Sequence, residues 1–566
     1  MKKNHNIKKN IALLTALVIT AMTAAGCSNN DSSAMGAAPS YDTPATTTGT
    51  ERSDDMPSTT TRAPSNDSGD YTTTRPQKNA NASNAVAEGE VPANDSMATY
   101  EPYDGWDTQG SEEYNSYTES GFKSVQSEPL STFSADVDTA SYSNVRRMLT
   151  DYGYVDPDAV RIEEMLNYFD YEYVKPKNDL FSINVELSDC PWNNGSKLML
   201  VGMQAKEIKN TDNIDSNIVF LIDVSGSMFD YDKLPLVIES FSMLTDNLTE
   251  NDRISIVTYA GSDEIVLTGA DGSEKKKIKR ALESLEAGGS TAGAAGINTA
   301  YELAEEYFIE GGNNRVILAT DGDLNVGISS EEGLTELIEE KRESGVFLSV
   351  LGFGTGNIKD NKMEALADHG NGNYSYIDSL SEAKKVLVDE LDSTLYAVAK
   401  DVKFQVEFNP EFVSEYRLVG YDNRIMAAED FSDDTKDAGE IGSGHSVTAL
   451  YEIVPVGSEV ELKYQPEKNV RSEDGEWLTV SVRCKQPDED KSELYEFPVN
   501  SEIYTEKMPE NLRFAAAVAE FGMLLKDSAY SGTASYRSLE ALLDDCAITD
   551  EYKAEFVELV ELAADR

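Results

Sequence analysis

The feature that most constrains this chain is a rhythm between about residues 216 and 400. Short apolar runs at 217–222, 253–259, 315–320 and 346–352 alternate with helix-like stretches at 235–247, 274–285, 294–308, 331–344, 362–368 and 381–398. The runs are rich in β-branched residues, as in strands covered on both faces, and the segments between them are long enough to cross back over a sheet. This pattern predicts an α/β domain with a doubly wound, mostly parallel sheet. One run ends unexpectedly. The stretch "VFLIDVSGSM" passes from four apolar residues straight into Asp223, Ser225 and Ser227.

Ligands of open α/β sheets bind beyond the carboxyl ends of the strands, near a topological switch. "DVSGS" is expected at such an end. "GGSTAG" puts Thr291 in a flexible loop before a helix, and "LATDGD" puts Asp321 at the end of another buried strand. Together Asp223, Ser225, Ser227, Thr291 and Asp321 offer five oxygen side chains on three loops. Oxygen-only donors suit a hard divalent cation, Mg²⁺ or alternatively Ca²⁺ or Mn²⁺. The aspartates bring charge, and the hydroxyls coordinate without fully neutralising the ion. One coordination position can then stay open for a carboxylate from another molecule. Gly226, Gly288 and Gly289 permit close backbone approach.

This set resembles the metal-ion-dependent adhesion site of von Willebrand factor type A (VWA) domains. The resemblance implies direct coordination by Ser225, Ser227 and Thr291, and action mainly through water by Asp223 and Asp321. It also implies a protein partner that presents an acidic residue. The longer segments "STFSADVDTASYSNVRRML", "RIEEMLNYF", "GHSVTALYEI" and "RFAAAVAEFGMLL" resemble a family of bacterial lipoproteins. These combine an N-terminal VWA-associated segment, a VWA domain and a C-terminal region of uncharacterised function. That likeness runs from about residue 129 to the end.

The first 26 residues read as a signal peptide. Lys2, Lys3, Lys8 and Lys9 precede an apolar core at 11–25, which ends in "TAAGC". The ending resembles a lipobox, which implies lipidation (palmitate) of Cys27, a membrane anchor and an extracytoplasmic location. No later stretch approaches the ~18 apolar residues of a spanning helix. Residues 27–128 are rich in Ser, Thr, Asn, Ala, Asp and Pro, and read as a disordered tether with an end-to-end reach of roughly 50–60 Å. Trp106 is the unusual residue there.

Order is expected from 129. Residues 129–215 would form an N-terminal segment, with helices at 141–150 and from Pro157, and strands at 181–187 and 198–203. The VWA-like domain would occupy 216–400. Alternating strands linked by Asp- and Gly-rich turns make 401–498 a β-sandwich-like module. The strands before the α/β unit are expected to join it, so that the α/β domain is inserted in a β-domain or flanked by it. Cys190 and Cys484 would then share a module, and their pairing is left open. Residues 499–566 are helical, with Leu512, Phe514, Ala517, Val518, Phe521, Leu524 and Leu525 on one face that packs on the β-module.

A formal net charge of −54 makes nucleic acid an unfavourable partner. The chain has three histidines, of which His369 reads as a helix C-terminal cap residue and His445 stands alone. No zinc, nucleophile-elbow or phosphate-loop motif occurs, so no catalytic residue is assigned. Asp136 and Asp138 in "ADVDTA" read as capping and turn acids. Asp323 and Asn325 read as shaping the loop around the metal. A binding protein is expected. The alternatives are a metal-dependent envelope hydrolase and a structural envelope protein with a stabilising metal.

Overall fold

The computed structural model describes residues 112–566, apart from 136–137, 209–213, 290–292, 323–330, 458–474, 488 and 490. The expectations for Cys27, Trp106, Asp136, Thr291, Asp323 and Asn325 fall outside the described residues.

The described chain opens with β1 (Lys123–Ser124), β2 (Leu130–Ser134), α1 (Ala140–Asp151), α2 (Ile162–Asn167) and the hairpin β3 (Phe181–Asp189) and β4 (Lys197–Ala205). It then builds an α/β unit. Six strands belong to this unit: β5 (Ser216–Asp223), β6 (Arg253–Tyr259), β7 (Asp263–Asp271), β8 (Asn313–Thr320), β9 (Phe347–Phe353) and β10 (Tyr374–Ile377). Its helices are α3 (Leu234–Asn247), α4 (Lys275–Glu283), α5 (Gly293–Glu306), α6 (Glu331–Arg342), α7 (Asp360–His369), α8 (Leu380–Lys384) and α9 (Leu391–Leu395). The chain returns to strands β11 (Ala397–Phe408), β12 (Val413–Val419), β13 (Gly439–Gly442), β14 (Ser446–Pro455), β15 (Glu476–Lys485) and β16 (Glu493–Asn500). It ends in α10 (Glu510–Leu525), α11 (Tyr536–Asp544) and α12 (Glu551–Ala564).

The α/β sheet runs β10-β9-β8-β5-β6-β7, parallel throughout except for the antiparallel edge strand β7. Period-two alternation explains why β5 reads as uninterrupted apolar sequence. Ile218, Phe220 and Ile222 face a core shared with α3, where Phe220 stacks on Phe241 at 4.2 Å. Val219 and Leu221 face the opposite core, with Ile297 and Tyr301 of α5. The expected helix at 381–398 is shorter. It breaks into α8, a π-helical turn (Lys385–Asp389) and α9, and residue 397 already begins β11. The helical period runs on through Ala397 and Val398 because these strand residues are apolar too.

The flanking strands form one β-sandwich. One sheet is β1-β12-β14-β4-β3, and the other joins β13, β11, β15 and β16, with β2 on β11. Strands from before and after the α/β unit pair directly, Val201 with Ala449 for example, so the α/β unit is inserted. Phe408 stacks on Tyr416 across the two sheets at 4.2 Å. Cys484 lies in this inter-sheet core, whereas Cys190 lies in a second core between the outer face of the first sheet and helices α1, α2 and α10–α12. Both thiols are free and buried, because the two cysteines serve opposite faces of the sheet. The C-terminal helices therefore share their core with the N-terminal helices as well as with the β-module.

Residues 112–128 correct the expected tether. Glu113 pairs with Lys359, β1 pairs with β12, and Val125 is buried. Backbone pairing, single apolar contacts and charge pairs hold this segment without a regular apolar period, and composition therefore conceals it: Glu112 receives two hydrogen bonds from buried Arg147, at 3.2 and 3.1 Å. Asp138 is more than a turn acid. It accepts from the Tyr374 amide at 2.8 Å and pairs with Arg424 at 2.9 Å. His369 is the last residue of α7 rather than its cap, which is Gly370, and it lies 3.0 Å from Glu339. No described helix is long and apolar enough to cross a membrane.

Candidate metal centre

Asp223 is the last residue of β5, and Asp321 follows β8, its parallel neighbour. The register aligns Ile222 with Ala319, so the two strands end side by side. The chain leaves β5 toward β6 on one side and reaches β8 on the other, which makes this gap the switch point of the sheet. Both carboxylates are fully buried. Asp223 accepts from the Ser225 amide at 2.8 Å, and the Ser225 and Ser227 hydroxyls lie 2.9 Å apart. Ser225 is buried and Ser227 half-buried at the start of a 3-10 turn, Gly226–Phe229.

The loop that leads to Thr291 is bonded to the same place. The Gly288 amide donates to the Val224 carbonyl at 2.8 Å, and the Gly226 amide donates to the Gly289 carbonyl at 3.1 Å. Gly289 has φ +88°, a conformation in which a side chain would be strained. The structure thus brings together Asp223, Ser225, Ser227 and Asp321. Thr291 itself lies outside the described residues.

The donor chemistry fits a hard cation. Among the described residues no three His, Cys, Asp or Glu side chains are grouped so that they could hold a metal ion by themselves. A centre here must therefore draw on hydroxyl oxygens beside its two carboxylates, as the Ser225–Ser227 pair permits. Burial pushes Asp223 up to about 6 against hydrogen bonds from Ser225, and the charge of Asp321 adds to the rise. Burial acts on Asp321 in the same direction. There Asn357, Lys233 and Ser227 outweigh it and hold the carboxyl below its usual range. Asp223, Ser225, Ser227 and Asp321 would hold a divalent ion, and the ion would supply Lewis acidity toward an incoming oxygen ligand.

Comparison with known proteins accounts for nearly all of the described chain. The von Willebrand factor type A domain family matches residues 217–390, a "von Willebrand factor" family matches 108–200, and the family "Uncharacterized protein YfbK, C-terminal" matches 393–565. The protein YfbK of Escherichia coli K12 is 43% identical over 469 residues, which cover 80% of this chain and 81% of that one. The chain belongs to the YfbK family. This chain thus joins a VWA domain to the C-terminal region that the YfbK family model describes. The human inter-alpha-trypsin inhibitor heavy chain H3 is 30% identical over 176 residues, 29% of this chain and 20% of its own length. Among solved structures, a von Willebrand factor type A protein from Catenulispora acidiphila is 14% identical, with a TM-score of 0.38, over 70% of this chain and 98% of that one.

In this YfbK-family chain, Lys233 and Asn357 are site residues that escaped sequence reasoning. Lys233 Nζ donates to Asp321 Oδ2 at 2.9 Å and to Asn357 Oδ1 at 3.0 Å. A signal for Lys233 was present: it is the N-cap of α3, followed by Leu-Pro, where the positive end of the helix disfavours a cation. Asn357 carried none, because it comes from a loop 36 residues downstream of Asp321.

Proposed function

We propose that this protein is a lipid-anchored, extracytoplasmic binding protein whose VWA domain takes the carboxylate of a protein partner through a divalent cation. The observation that carries the reading is the pair of buried carboxylates at adjacent strand ends, next to two serine hydroxyls. Mg²⁺ is the natural occupant for such an oxygen set, with Ca²⁺ or Mn²⁺ as alternatives. Thr291 would complete the ligands. The rim of the site supports capture of a macromolecule. Phe229 and Tyr231, on the turn just after the serines, are 79% and 87% exposed. Large aromatics at that exposure suit a protein surface that will be covered.

Anchoring rests on Cys27 and the apolar segment before it. Cell fractionation tests it directly: a Cys27→Ala variant should leave the membrane fraction, and its retention there would refute lipidation at this residue. Partner capture is a separate test. Crosslinking pull-downs from envelope material should recover a protein with Mg²⁺ that EDTA releases. Asp223→Ala and Thr291→Ala should each reduce that recovery at least about tenfold while the circular dichroism spectrum stays native. Full capture by either variant would end the adhesion reading. Turnover of an envelope polymer that vanishes with these substitutions would instead favour the hydrolase alternative.

A further inference from the structure

Lys233 lies beside the candidate metal centre, against Asp321. It is 4% exposed, and its ammonium is consumed by Asp321 and Asn357. The backbone is shaped to admit it. Gly354 has φ +75°, and a Cβ there would lie 2.3 Å from Lys233 Cγ, so the aliphatic stem runs across a bare glycine. The Gly354 carbonyl is itself fixed by the Tyr376 hydroxyl at 2.7 Å. A buried cation held this closely is a built part of the site.

We infer that Lys233 sets the charge of the metal-loaded centre and so couples metal binding to binding of an anionic ligand. Two carboxylates and a divalent ion would together be neutral. The Lys233 ammonium adds one positive charge, which a single incoming carboxylate cancels. Charge interactions between groups a few ångströms apart are strong where water is excluded. Lys233 therefore has two effects. It neutralises Asp321 in the metal-free protein and competes with the ion for that carboxylate, so metal alone binds weakly. It also leaves the loaded site electropositive, so a carboxylate ligand strengthens metal retention. By linkage, metal must then strengthen carboxylate binding by the same factor. The inference rests on the metal-dependent reading above and assigns it a direction: metal and partner bind together.

Calorimetric titration of the full chain with Mn²⁺, alone and in the presence of acetate as a carboxylate probe, tests this. The wild type should bind Mn²⁺ more tightly when acetate is present. Lys233→Met should bind Mn²⁺ alone about tenfold or more tightly than the wild type and should lose most of the acetate effect. Lys233→Gln, which keeps a hydrogen bond toward Asp321 without the charge, should behave the same way and serves if the methionine variant folds poorly. Equal Mn²⁺ affinity and an equal acetate effect in wild type and variants would overturn the role of Lys233 while leaving the metal centre intact. A wild type that takes up no Mn²⁺ would overturn the inference and the metal-dependent reading together.

Discussion

Arg161→Met is expected to destabilise the protein by about 3–5 kcal/mol, the usual cost of leaving a buried charge without its partner. Arg161 is 4% exposed on the approach to α2. Its guanidinium reaches Glu164 at 2.9 Å, and Asp360 and Glu364 of α7 at 3.0 and 2.5 Å. Arg424 of the β-module meets Glu364 from the other side at 3.1 Å. Burial acts to raise Glu364, yet Arg161 and Arg424 together hold it below the usual carboxylate range. Methionine keeps much of the volume, so the loss isolates the charge. The network fixes the inserted α/β domain against both the N-terminal segment and the β-module. Chemical denaturation would read the cost, and Arg161→Met combined with Glu364→Gln should recover part of it. A loss below about 1 kcal/mol would show that the network is not a determinant of stability.

Asp223→Asn is expected to separate stability from metal binding. Burial raises Asp223 to about 6, from 3.8 for an ordinary aspartate. The metal-free folded state therefore holds this proton more tightly than the unfolded chain does. Between about pH 4 and 6 the folded state carries more protons, so stability falls as pH rises across that window, and the penalty is complete above it. Asparagine keeps the shape without the charge. In EDTA at pH 7.5 the variant should be as stable as the wild type or more stable, by about 1–3 kcal/mol. In Mg²⁺ at about a hundredfold above its dissociation constant the wild type should gain about 2.7 kcal/mol, and the variant should gain none. Thermal melts with and without Mg²⁺ read both effects. A variant that kept the Mg²⁺ gain would remove Asp223 from the centre.

The residue pattern alone made the α/β unit legible, because strands buried on both faces are mainly apolar along their length and the helices between them repeat near 3.6 residues. It also determined where "DVSGS" and Asp321 would stand, since each follows directly from the end of such a strand. Contacts between residues far apart in the chain become visible only once the chain is folded. Lys233 and Asn357 meet Asp321 through folding over 88 and 36 positions, a distance that no local pattern records. The ordering of residues 112–128 comes from ion pairs, two short backbone pairings and the buried Val125, so a composition typical of disorder hid it. The free thiols follow the same logic. Cys190 and Cys484 belong to one β-module, yet they sit on opposite sides of its first sheet, and which core each side chain enters is settled by pleat and packing together.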